Sequence, residues 1–142
     1  MQSAESLSLR TIAARLTPGV DLRDAIERLG HEHHVEAGCI LSAVGSLRSA
    51  TLRLAGAESY TKFDGPFEIV SLSGTLSPDG PHLHLSIAAK DGRTVGGHLV
   101  PGCTVYTTVE VVVADLAGVR FARLPDAMTG YRELNIGGGS RH

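Results

Sequence analysis

The chain has little of what most function classes demand. It has two cysteines in 142 residues, Cys39 and Cys103. Each stands alone in apolar or β-prone sequence, without the paired spacing of a cysteine zinc site, so both read as reduced, partly buried thiols. The formal net charge is only −2 and the sequence pI about 6.4. No global positive field therefore draws the chain onto nucleic acid or an anionic membrane. Long apolar runs are also missing: the longest, near Val111 to Val113, is broken by Asp115, and no basic stretch at the N-terminus joins a long apolar segment. These features lead us to expect a cytoplasmic protein with no membrane partner. There is no Gly-x-Ser-x-Gly elbow, no glycine-rich phosphate loop and no dinucleotide fingerprint.

What is present suits one domain. The length is near the commonest single-domain size, and 42% hydrophobic residues against 20% charged suffice for a folded core. Leu7, Leu9, Ile12 and Leu16 lead into Pro18-Gly19 and predict an opening strand and turn. Asp21 is then placed as a helix N-cap, with Asp24 in the first turn and Leu22, Ala25, Ile26 and Leu29 on one helical face. The helix should end between Gly30 and His34, where His31, His33 and His34 read as an exposed C-terminus favoured by the dipole. Cys39 to Val44 predicts a strand covered on both faces, broken at Gly45-Ser46 before Thr51 to Leu54 alternates again.

Phe67 to Leu76 predicts the next strand, with Glu68, Val70, Leu72 and Leu76 sharing one face. Leu83, Leu85 and Ile87 alternate with His82, His84 and Ser86, and Val105 to Val113 has the same period. Between Ala88 and Val100 lies Lys90-Asp91-Gly92, a turn signal whose flanking strands make an antiparallel hairpin. Its register is open. A two-residue Asp91-Gly92 loop sets His98 opposite Leu85 and away from His82 and His84; a three-residue Lys90-Asp91-Gly92 loop with Gly92 left-handed sets it opposite His84. In the second case three imidazoles share a face, a donor set able to hold zinc or another divalent transition metal. In the first they are ordinary strand histidines. Glu68 and Glu110 are candidates for a paired acid and base, or for carboxylates held by an arginine or an amide. Arg48 is a candidate for binding an anion or a carboxylate such as Glu68.

These segments together resemble the PPC (plants and prokaryotes conserved) domain family in its free-standing prokaryotic form. The resemblance runs through Ala37-Gly38 and Gly45-Ser46-Leu47-Arg48, then Phe67-Glu68-Ile69-Val70-Ser71-Leu72-Ser73-Gly74-Thr75 and His82-Leu83-His84-Leu85-Ser86. It continues at Asp91-Gly92, Gly96-Gly97-His98-Leu99, Gly102-Cys103-Thr104-Val105, Thr108-Val109-Glu110 and Glu133-Leu134-Asn135. It implies an α+β fold over residues 7–136, an antiparallel-rich sheet packed on one main helix; residues 137–142 have no core-forming side chain and are expected to be a disordered tail. It also implies a homotrimer, a metal at His82, His84 and His98, and ligand or partner contacts at Arg48, Phe67, Glu68 and Glu110. In plants the domain follows AT-hook motifs in DNA-binding proteins, and a Gly-Arg-Phe-Glu-Ile-Leu segment is associated with partner binding. Pro66 stands at that arginine's place here, and no basic AT-hook segment occurs. The resemblance thus implies a non-catalytic regulatory protein with DNA or other proteins as partners. The rival expectation is a metal-assisted hydrolase or lyase using the same histidines.

Overall fold

The computed structural model describes residues 1–138. Eight strands and one helix follow in the order β1 (Leu9–Leu16), α1 (Leu22–Glu32), β2 (Gly38–Arg53), β3 (Thr61–Ser77), β4 (Gly80–Ala88), β5 (Thr94–Leu99), β6 (Thr104–Leu116), β7 (Val119–Pro125) and β8 (Arg132–Gly138). The expected α+β class is observed. Six strands form one sheet in the order β1-β6-β2-β3-β4-β5, and β7 and β8 form a second, two-stranded sheet. Each pairing is antiparallel. The large sheet curls until β5 also pairs with the end of β2, setting Leu52 against Leu99 and Arg53 against His98. That closure wraps a core of aliphatic side chains, among them Leu47, Leu52, Leu83, Leu85, Ile87, Leu99 and Val109.

Helix α1 seals the core because its apolar residues recur on one face: Leu22 and Ile26 are fully buried and Ala25 nearly so. Its start is fixed by Asp21, whose Oδ1 accepts the Asp24 amide at 3.0 Å. The other carboxylate oxygen accepts the amides of Gly102 at 2.7 Å and Cys103 at 3.1 Å, tying the helix to the start of β6. Beside it the Cys103 thiol is fully buried, and burial pushes its pKa up to about 11, as an inert reduced thiol requires.

Four details differ from expectation. Gly45-Ser46 does not end a strand. β2 runs unbroken through it and absorbs the irregularity as register shifts against β6. Leu41 and Val44 are about half exposed, so β2 is not covered on both faces within one chain. In β3 a bulge between Ile69 and Ser71 switches the inward face, so Phe67, Ile69, Leu72 and Leu76 are buried while Glu68 and Val70 face outward. Gly137 and Gly138 pair with Arg120 and Val119 as the end of β8 and do not belong to a tail. The remainder of that expected tail, residues 139–142, lies outside the described residues.

Candidate metal centre

The β4–β5 hairpin takes the register of the longer loop. The Ala89 amide donates to the Arg93 carbonyl at 2.8 Å, enclosing Lys90-Asp91-Gly92, and Gly92 adopts φ +82°. A residue with a Cβ enters this left-handed region at a cost, so glycine is what the third loop position needs. Asp91 stabilises the turn by accepting the Arg93 backbone amide at 3.1 Å. With Ala88 opposite Thr94, His84 falls opposite His98. His82, two residues before His84, points to the same side by strand alternation.

The three imidazoles converge. Their ring centroids lie 5.2, 5.0 and 5.7 Å apart, and one ligand nitrogen from each falls within 4.8 Å of the others. In a tetrahedral zinc site such nitrogens are about 3.3 Å apart, from bonds near 2.0–2.1 Å. The electrostatics also suit ligation. Burial lowers the His98 pKa to about 4, helped by the positive charge that His82, Arg53 and His84 place beside it. Burial is likewise the main cause of the lowered His82 pKa, with Arg123 and His84 adding to it. Both rings are therefore neutral at pH 7, with a lone pair to donate. The Nδ1 atom of His98 is buried without a hydrogen-bond partner among the described residues. An orphaned buried group of this kind costs about 1–3 kcal/mol, which ligation would recover. The residues present fit a nitrogen-ligated divalent transition metal.

Sequence reasoning missed the surroundings of the triad. They come from β7 and β8, which the periodicity did not reveal, although Val119 and Phe121 alternate directly after the Ala117-Gly118 turn. This small sheet packs on the main body through Ala37, Val119 and Phe121. Arg123 anchors it further: its amide donates to Asp79 at 2.7 Å and its guanidinium to Thr75 Oγ1 at 2.8 Å. Thr75 is the residue paired with His82. Arg123 and Glu133 thereby line two cavities that meet at His82, about 560 and 340 Å³ in volume. A larger cavity, about 670 Å³, lies at the loop end of the hairpin between Phe63, Phe67 and Val95, away from the histidines.

The other residues singled out in the sequence lie elsewhere. Glu68 is exposed and paired with Ala88, four residues along β4 from His84, or about 13 Å. Glu110 is exposed on β6 opposite Val44, so the two carboxylates stand on strands that flank β2, and neither lines the cavities at the triad. Arg48 does not pair with Glu68; its guanidinium lies over the Tyr106 ring, 6.0 Å from the centroid. Phe67 is buried in the core and reaches the surface only at cavity edges.

Known proteins resemble this chain over nearly its whole length. Bifunctional protein GlmU of Synechococcus sp. (strain JA-3-3Ab) is 53% identical over 129 residues, which cover 91% of this chain and 21% of that protein. AT-hook motif nuclear-localized protein 20 of Arabidopsis thaliana is 32% identical, covering 94% of this chain and 50% of its own length. The chain thus spans half or less of these two curated relatives. Among solved structures, a hypothetical protein from Salmonella cholerae-suis superposes with a TM-score of 0.92 at 39% identity, covering 96% of this chain and 99% of that one. A metal-containing protein from Archaeoglobus fulgidus superposes with a TM-score of 0.80 at 34% identity, covering 95% and 99%. The family model for the Plants and Prokaryotes Conserved domain matches residues 3–117, and the chain belongs to that family.

Proposed function

We propose that this protein is a non-catalytic, trimeric member of its family that holds a divalent transition metal at His82, His84 and His98 and acts in regulation or protein assembly. The observation that carries the reading is the convergence of three imidazoles, two of them kept neutral and one with an unpartnered buried nitrogen. Zinc is favoured because it accepts nitrogen ligands in an open three-plus-one arrangement. The metal-containing relative from Archaeoglobus, alike over nearly all of both chains, supports the same reading. A bound divalent ion would supply Lewis acidity to whatever enters its open position.

Trimerisation through the sheets is supported by an apolar surface. Leu41 and Val44 on β2, Val70 on β3 and Tyr106 on β6 are 44–59% exposed on three adjacent strands. Side chains of this kind on neighbouring strands suit contact with another copy. Reduced thiols at Cys39 and Cys103 fit a cytoplasmic setting. Among the described residues no helix is long and apolar enough to cross a membrane.

One experiment tests metal and assembly together. The purified protein should carry about one metal ion per chain, and light scattering should give three times the chain mass of 14.9 kDa. The His82→Ala, His84→Ala double variant should keep the mass and lose at least nine-tenths of the metal. Equal metal content in both proteins sinks the site, and a monomeric mass sinks the trimer.

The hydrolase or lyase reading needs a base beside the triad. Glu133 holds that place, in the cavity between His82, His84 and Arg123, whereas Glu68 and Glu110 do not. The AT-hook relative supports a further reading in which this chain contacts DNA. It would depend on phosphate contacts and weaken steeply as salt rises, so absence of duplex retardation at low salt would end it.

A further inference from the structure

We propose that the cavity of about 560 Å³ beside the histidines receives a small oxyanionic ligand, bearing a carboxylate or phosphate group, that Arg53 and Arg123 grip. The inference deepens the metal-centre reading and rests on it for the ion, but the arginine geometry stands without it.

The volume lies within the range of sites for small molecules. Arg53 is half buried at the end of β2, beside His98, and its guanidinium makes no hydrogen bond or ion pair among the described residues. A partly buried guanidinium without a partner is costly, and it is conspicuous here because sheet closure fixes its backbone against a metal-ligand candidate. Arg123, half buried and also lining the cavity, spends one donor on Thr75 and forms no ion pair within 4 Å among the described residues. Guanidinium carries five donors, so most of the fork stays available. Arg132 lies at the same cavity, anchored by its guanidinium to the Arg123 carbonyl at 3.0 and 2.6 Å.

Against these three cations the cavity wall offers two carboxylates, Asp79 and Glu133. Asp79 already accepts the Arg123 amide. Positive charge is therefore in excess even before a divalent ion adds to it. Planar guanidinium forks match carboxylate and phosphate oxygens in bidentate geometry, which makes an oxyanion the ligand that balances the site. One oxygen of the same group could reach the open metal position while Arg53 and Arg123 hold the others.

Calorimetric titration of the full chain with inorganic phosphate, and in parallel with acetate, tests this in zinc-loaded and chelator-treated samples. We expect saturable binding of one anion per chain for at least one probe, tighter in the loaded sample. Arg53→Gln should weaken it at least tenfold while metal content stays at the wild-type level, and Arg53→Lys, which keeps the charge but not the fork, should weaken it severalfold. Arg93→Gln, far from the cavity on an exposed turn, should leave it unchanged. No binding of either probe, or equal losses in Arg53→Gln and Arg93→Gln, overturns the inference. Metal content, read on the same samples, separates the two ideas: Arg53-dependent anion binding in a protein that takes up no metal upholds the anion site and rejects the metal centre.

Discussion

Replacing Gly74 by alanine should cost about 3 kcal/mol or more of stability, the sum of backbone strain and a clash with main-chain atoms, and should abolish the proposed metal binding. Gly74 sits in β3 opposite Leu83, next to the Thr75–His82 pair, with φ +140°. A side chain disfavours that backbone. An added Cβ would press into the His82 carbonyl oxygen and stand 2.9 Å from the Leu83 Cα. Those are main-chain atoms of the neighbouring strand and have no rotamer to escape into. The strands must separate where His82 is presented, so stability and ligation fall together. Urea denaturation with metal analysis checks both, and a variant within 1 kcal/mol of wild type with full metal would show that the register at His82 is not under this constraint.

Asp21→Ala should lower stability by about 2–4 kcal/mol, combining a lost helix cap with backbone amides left unpaired. One carboxylate oxygen caps α1 through Asp24 and the other binds the Gly102 and Cys103 amides. The Leu22 amide donating to the Cys103 carbonyl at 2.8 Å completes the junction. Removing the carboxylate loosens the helix and the start of β6 at once. Asp21→Asn, which keeps one acceptor oxygen, should lose less. Unlike Gly74→Ala, either variant should retain its metal while folded, because the histidines hang from β4 and β5. Thermal unfolding followed by circular dichroism gives the loss, and a change below 0.5 kcal/mol for Asp21→Ala would mean that other groups fasten the helix.

How legible each feature was follows from how local its cause is. The helix start at Asp21 and the alternation of Leu83, Leu85 and Ile87 depend on neighbours in the chain and were read directly from it. The hairpin register was not. Both loop lengths satisfy Asp91-Gly92, and the observed one also satisfies a distant strand, because β5 must meet Leu52 and Arg53 of β2 as well as β4. The face of Glu68 was misread because the Val70 bulge shifts strand parity without a turn residue to mark it. At the site the three histidines were legible as a pattern, whereas Arg53, Arg123 and Glu133 were not. These three arrive from β2, β7 and β8, and only sheet closure and the docking of the β7–β8 sheet bring them to one cavity.

The central claim is that three histidines on one hairpin bind a metal. X-ray absorption at the edge of whatever metal copurifies measures it most directly. The proposed metal centre predicts three imidazole nitrogens at about 2.0–2.1 Å, a signature lost in the His82→Ala, His84→Ala variant. Sulfur at about 2.3 Å, or a protein that binds no metal after incubation with zinc, would contradict it.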